Sequence, residues 1–171
     1  LLFLRRNSPD IQSMENFLQR FDRLDRAITR WMARVGIPLL RVSLGIAFFW
    51  FGFLQFFPGM SPAQDLATHT IEVMTFGIVK PGVSIVVLAL WETLIGLGLI
   101  FGVYLRATLF LLFTQMMGTL TPLVLFPHDA FTHIPYAPTL EGQYIIKNLI
   151  LISAGLVVGA TVRGGRLKPE P

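Results

Sequence analysis

Four apolar runs, each long enough to cross a lipid bilayer, constrain this chain more than anything else in it. They cover about Gly36 to Phe57, Val83 to Tyr104, Ala107 to Phe126 and Tyr144 to Val162. A transmembrane helix needs roughly 20 mostly apolar residues. In a bilayer every backbone N–H and C=O must be satisfied within the protein, so such runs fold as helices. Together they take nearly half of the 171 residues and leave no room for a separate soluble domain. The charged fraction agrees, at 14% against about a quarter in soluble domains. The fold class expected is all-α: an integral membrane four-helix bundle with an N-terminal amphipathic interfacial helix and a short outer helix. The organisation expected is residues 1–35 as a cytoplasmic surface helix, 36–163 as the bundle (spans 36–57, 83–104, 107–126 and 144–162), and 164–171 as a cytoplasmic tail.

The net charge of +4 matters through its distribution. Arg5, Arg6, Arg20, Arg23, Arg26, Arg30, Arg34 and Arg41 all precede the first span or lie just inside it. Arg106 sits between spans two and three, and Arg163, Arg166 and Lys168 follow span four. The opposite loops hold Lys80, with Lys147 at the edge of span four. By the positive-inside rule both termini and the 104–107 turn are expected in the cytoplasm. The short apolar start Leu1 to Leu4 is followed, not preceded, by its charges, so no secretory signal is expected. The first residue is not Met, and a few residues are expected to precede it. With no cysteine, the chain itself offers no thiolate catalysis, no disulfide and no Cys-ligated iron–sulfur or zinc site.

Residues 9 to 35 read as a helix lying in the cytoplasmic headgroup layer. Ser8 is placed to cap it and Pro9 occupies the favoured first position. Met14, Phe17, Leu18, Phe21, Leu24, Ile28, Trp31, Met32 and Val35 recur at helical spacing. Arg20, Arg23, Arg26, Arg30 and Arg34 fall largely off that stripe. Surface potential alone accounts for a basic amphipathic anchor of this kind. The sharper reading makes it a docking surface for a neighbouring subunit, with Trp31 and the arginines as contacts. A nucleic-acid partner is not expected, because the basic face adjoins a membrane span.

Glu92 is the most informative single residue, an ionisable group near the middle of the second run. Such a group costs at least a few kcal/mol in the bilayer, so it faces a bundle interior and has partners. Either pairing simply fixes the helix packing, or the carboxyl marks a polar site for a proton, a quinone or a partner protein. Spans two and three are joined by almost nothing and must be antiparallel neighbours. Glu92 lies about twelve residues from their turn and Gln115 about nine. At 1.5 Å per residue the depths differ by roughly 5 Å, so a Glu92–Gln115 hydrogen bond is within reach. Lys147 stands perhaps 9 Å outward of Glu92, which makes a Glu92–Lys147 or Glu141–Lys147 pair a candidate. Arg41, about 6 Å inside the cytoplasmic edge, can snorkel, and Gln55 lies near the outer end of span one. The candidate intramembrane polar set is therefore Glu92, Gln115, Lys147, Arg41 and Gln55.

Other features carry less. The aromatic run Phe48 to Phe57 reads as packing or a lipid girdle. Pro58-Gly59 breaks the first span, and Ser61, Pro62 and Gln64 resemble the start of a short outer helix reaching about Val79. Pro122 is expected to kink span three. Between Pro127 and Gln143 stand His128, Asp129, His133 and Glu141. Their spacing matches no strong metal pattern, so no metal is expected, with His128, Asp129 and His133 as weak candidates. Gly96, Gly98 and Gly102, and the Gly155/Gly159 pair, permit close helix approach.

Taken in order, these motifs resemble the DoxX-like superfamily of four-helix bacterial membrane proteins over most of residues 36 to 162. Arg41 with Gly45 and Gly52 is similar to the family's first-helix pattern, and Glu92, Gly96, Gly102 and Arg106 to its second-helix signature. Thr121-Pro122 and the stretch Pro138 to Leu149 look most like the branch containing the reactive-chlorine-resistance membrane protein. The family often has a lysine where this chain has Gln55, and the branch tends to an acidic residue at Asn148. The resemblance implies the bundle fold. It also implies links to thiosulfate:quinone oxidoreduction, oxidative-stress membrane complexes, or assembly roles.

Two functions follow as expectations. The first is a structural accessory subunit of a larger membrane complex, with no catalytic residues of its own. The second is a membrane subunit of a quinone-linked oxidoreductase with an intramembrane polar site at Glu92. No His pair of the haem-binding kind lies in the spans, so electron transfer by this chain is not expected. The expected associates are the lipid bilayer, other membrane subunits and a non-covalent quinone or lipid. A small transporter or channel is a weaker third reading, since no inverted repeat and only one deep charge are evident.

Overall fold

A computed structural model of the protein describes residues 9–57, 59–61 and 64–165. The expected cap at Ser8, the residues Arg5, Arg6, Pro58, Pro62, Arg166 and Lys168, and the tail beyond 165 lie outside the described residues. Two compact units divide the chain, Leu1–Pro38 and Leu39–Pro171.

The elements follow in order as α1 (Pro9–Leu54), α2 (Gln64–Met74), α3 (Pro81–Phe101), α4 (Leu105–Leu120), α5 (Pro122–Leu125) and α6 (Pro127–Ala130). After them come β1 (Phe131–His133), β2 (Ala137–Pro138) and α7 (Leu140–Thr161). Among the described residues four helical stretches are long and apolar enough to cross a membrane: Ser13–Leu54, Pro81–Phe101, Leu105–Leu125 and Leu140–Thr161. The all-α class holds, with one small addition that the sequence does not announce. β1 and β2 pair antiparallel, with Phe131 opposite Pro138 and His133 opposite Ala137. Pro38 lies inside α1.

In the first unit, the helix carries its apolar side chains uncovered. Phe17 is 66% exposed and Trp31 62%, and the arginines from Arg20 to Arg34 are exposed as well. Arg26 pairs with Asp22 one turn back, and the Nε groups of Arg23 and Arg30 donate to the carbonyls of Gln19 and Arg26.

In the second unit, α3, α4, α7 and the 39–54 part of α1 share one core. Leu44 and Phe48 from α1 meet Ile95 and Leu99 from α3, Leu109, Leu112 and Met116 from α4, and Ala154 and Val158 from α7. Glycine sets how closely α1 and α3 approach. A Cβ on Gly96 would fall on the backbone of Phe49, and one on Gly52 would come within 2.6 Å of Glu92 Cβ. Gly45 in turn faces Ile100 and the carbonyl of Gly96. Each step outward along α1 thus matches a step back along α3, which is an antiparallel register. The outward faces of the same helices stay apolar, as at Val87, Leu94, Phe110, Met117 and Leu156. Such a surface suits lipid and not water.

Tight connections fix the pairs. α3 ends on Gly102, whose left-handed φ of 69° returns its N–H to Gly98 O, while Val103 N–H reaches the same oxygen. This is the glycine-terminated cap that leaves no slack before α4 begins. Thr108 fills the notch beside Gly98 and donates to Val103 O and Tyr104 O. Pro122 interrupts the third span between α4 and α5, as expected of a residue with no N–H to give. Thr139 caps α7 by accepting from Gly142 N–H, and its own hydroxyl donates to Asp129 O.

Gly96→Ala is expected to cost about 1–3 kcal/mol of bundle stability, because the new methyl must displace the Phe49 backbone. Gly118 is the comparison, since a methyl group added there would meet nothing within 4 Å. Gly118→Ala is expected to be neutral or stabilising by up to about 1 kcal/mol. Thermal unfolding of both variants in the same detergent reads the difference.

Candidate functional site

A carboxylate held by two amides forms the polar centre of the second unit. Gln55 Nε2 donates to Glu92 Oε2 at 2.5 Å, and Gln115 Nε2 donates to Glu92 Oε1 at 2.5 Å. Each carboxyl oxygen therefore has its own N–H donor. Three elements supply the parts. Glu92 stands in mid-α3, Gln115 on α4 across the tight turn, and Gln55 in the turn that ends α1. Gly52, one turn before Gln55, lets α1 lie against the Glu92 backbone closely enough for this contact. The amide oxygens of Gln55 and Gln115 are buried and have no hydrogen-bond partner among the described residues.

Glu92 is half-buried and not sealed, because it opens on a cavity of about 570 Å³. The apolar wall comes from Phe48 and Phe51 of α1, Leu66 and Ala67 of α2, Ile85 and Leu88 of α3, Met116 of α4 and Ile145, Ile150 and Leu151 of α7. Polar groups break that wall at Gln55, Ser61, Gln64, Glu92, Thr119, Glu141, Tyr144, Lys147 and Asn148. Along α7 the lining runs from Glu141 to Leu151, about 15 Å at 1.5 Å per residue. Asn148 Nδ2 donates to Thr119 Oγ1 at 3.3 Å. Trp91 points away from this space, its Nε1 donating to Leu111 O at 3.1 Å.

The sequence-derived set is partly brought together. Glu92, Gln115 and Gln55 are in direct contact, and Lys147 lines the same cavity. Lys147 does not pair with Glu92 or Glu141: its Nζ lies 5.4 Å from the centroid of the Tyr144 ring. Among the described residues the ion pair within 4 Å is Arg26–Asp22. A lysine this close to the start of a span needs a partner, and an aromatic face one turn back serves in place of the expected carboxylate. Arg41 belongs elsewhere. Its guanidinium occupies the space beside Gly102, at the end of α3 that adjoins the α3–α4 turn. Gln64, Thr119 and Asn148 escape the sequence-derived set. Thr119 and Asn148 could have been found as polar side chains on the inner faces of largely apolar helices, whereas Gln64 opens a mixed helix that also carries Asp65, His69 and Glu72 and gives no such signal.

The outer histidines do not converge. His128 and Asp129 sit in α6, His133 on β1 stacks on Tyr136, and the His69 ring lies tilted against that of Phe126 with centroids 4.8 Å apart. No group of three or more potential metal ligands occurs among the described residues.

The profile of the DoxX family fits residues 36–129, more than half of the chain and including α3, α4 and the part of α1 that packs on them. The chain belongs to the DoxX family. It is a multi-pass membrane protein, with apolar helices that require a lipid bilayer. No curated protein and no solved structure matches it. Within this DoxX-family protein the family match covers Glu92, Gln115 and Gln55 and stops before α7, so the Lys147 and Asn148 side of the cavity is outside it.

The amide clamp predicts energetic coupling. In a double-mutant cycle Glu92→Leu and Gln115→Leu are expected to couple by about 1 kcal/mol, the scale of polar contacts between membrane helices. Gln115→Leu alone is expected to be more damaging than the double replacement, since it leaves a buried acceptor short of a donor. Unfolding in mixed micelles measures both, and strictly additive effects would contradict the contact.

Proposed function

We propose that this DoxX-family protein is a bacterial inner-membrane subunit that seats the head of a quinone-type amphiphile at Glu92, in the service of a larger membrane assembly. One observation carries the reading: the apolar cavity reaches from the outer turn region to an intramembrane carboxylate. Ligand sites are concave, mostly apolar and broken by a few convergent polar groups, with volumes of roughly 300–1,000 Å³. A ring with two oxygens suits the clamp, and an isoprenoid or alkyl tail suits the remaining wall of Phe48, Phe51, Leu88 and Ile145. Intramembrane carboxyls commonly mark ligand or proton pathways, which gives Glu92 a second task in proton handling. Both termini are assigned to the cytoplasm on the arginine asymmetry.

A purely structural accessory role is the second reading, and the first unit favours it. Its apolar stripe from Met14 to Met32 is exposed along its whole length. A bilayer surface or a neighbouring subunit would cover such a face.

Native mass spectrometry of the protein, gently extracted from its own membrane, tests the two. A quinone-sized mass that is lost in Glu92→Gln, while circular dichroism and assembly stay unchanged, is the outcome expected of a ligand site. Loss of larger co-purifying subunits in the same variant, with no small-molecule adduct at any stage, would instead assign Glu92 to assembly.

A further inference from the structure

A second cleft lies at the end of the bundle that carries the α3–α4 turn. It encloses about 410 Å³ and is lined by Tyr104, Leu105, Arg106, Ala107, Val162 and Arg163, none of which lines the Glu92 cavity. Two arginines far apart in sequence meet there. Arg106 stands in the first turn of α4, and Arg163 follows the cap of α7 at Val162. Left-handed backbone at Tyr104 and Arg163, with φ of 47° and 69°, turns the chain sharply at both points. Both arginines are exposed, and neither has an ion pair or side-chain hydrogen bond among the described residues. Among those residues no carboxylate lines the cleft. A third guanidinium, that of Arg41, stands beside Gly102, two residues before the cleft begins. The N–H groups of Leu105, Arg106 and Ala107 open α4 with no side-chain cap, which adds partial positive charge to that of the arginines.

Apolar surface leads away from these charges. Ala107, Phe110, Thr114 and Met117 are exposed at helical spacing along α4. The one hydroxyl among them, on Thr114, donates to Phe110 O within the helix. At 1.5 Å per residue the strip from Ala107 to Met117 is about 15 Å long, half of the roughly 30 Å hydrocarbon core. A positive cleft at the end of a span, continued by an apolar strip one leaflet deep, suits an amphiphile better than a free anion. Guanidinium groups pair well with phosphate oxygens, and basic pockets between membrane helices receive anionic head groups. An amine on the head group would find no carboxylate in the lining.

We propose that this cleft binds an anionic glycerophospholipid without an amine, of the phosphatidylglycerol kind. Its phosphodiester is held by Arg106 and Arg163, and one acyl chain lies along the α4 strip. Since each arginine belongs to a different helix, the lipid ties the end of α7 to the start of α4. The site is independent of whatever occupies the Glu92 cavity.

The chain has no cysteine, so Phe110→Cys places a single fluorescent label on the strip. The labelled full chain is put into phosphatidylcholine nanodiscs that contain a small fraction of brominated-chain phosphatidylglycerol, phosphatidylethanolamine or phosphatidylcholine, and quenching is compared. Phosphatidylglycerol is expected to occupy the strip at least about tenfold more favourably than the other two, the scale of two basic side chains facing an anionic lipid. Arg163→Gln is expected to narrow that preference several-fold, and Arg106→Gln combined with Arg163→Gln to abolish most of it. A label at Val87→Cys, on the outward face of α3, is expected to show no comparable preference. Equal quenching by all three lipids at Phe110→Cys would overturn the proposal. So would a preference that survives loss of both arginines, or one that is equally strong at Val87→Cys. Relief of the quenching by millimolar inorganic phosphate would overturn the lipid assignment and make the cleft a site for a free anion.

Discussion

The contact between Glu92 and its two amides governs the second unit, because a carboxyl group in the apolar middle of a membrane bundle must be solvated by the protein itself. Two N–H donors, one from the turn that ends α1 and one from α4, meet that demand, and in doing so they specify how α1, α3 and α4 are arranged. α3 must turn the Glu92 face toward α4 at the depth of Gln115. α1 must end where Gln55 can reach back over the same group. The glycines follow from the requirement: with a larger residue at position 52 or 96, the α1 backbone would stand off and Gln55 would fall short. Packing and polarity are thus two aspects of one constraint.

The same constraint leaves an opening. Glu92 is clamped from two sides, while the third side faces a cavity walled by α2 and α7. A helix bundle whose only aim was stability would fill that volume with side chains, since voids cost packing energy. Here the chain lines the volume with polar side chains and aromatics. Function is read from that residual space and not from the fold, which DoxX-family membership alone would supply.

How much of this is legible in the sequence depends on distance along the chain. The four spans are readable from apolar length, and the Glu92–Gln115 contact from depth arithmetic across a connection with no slack. Gln55 stands among the candidates, but its contact with Glu92 is not legible. The residues between α1 and α3 form a turn and a separate helix, so the register between those spans cannot be counted through them. The signal that could reveal it is Gly52, small at the one position where α3 must come close. Lys147 misleads, because its charge suggests a carboxylate partner while the Tyr144 ring stands one turn away. The β1–β2 hairpin has no alternating pattern to announce it. It is held by Thr132 donating to Ala137 O and by Thr139 bridging Asp129 and Gly142, contacts that composition cannot show.

The connection at Gly102–Tyr104 has a consequence for how such a protein can vary in length. α3 closes on Gly102 and α4 opens at Leu105, so Glu92 and Gln115 are set in phase through three residues. One helical residue corresponds to a rotation of roughly 100°, so a single insertion or deletion here would swing Gln115 off the carboxylate unless the turn bulged to absorb it. The hairpin side of the molecule has no comparable stake, because the groups it joins to α7 lie outside the clamp. Lineages of this chain are therefore free to lengthen on the face that carries the hairpin and are held to a fixed count on the face that carries the tight turn.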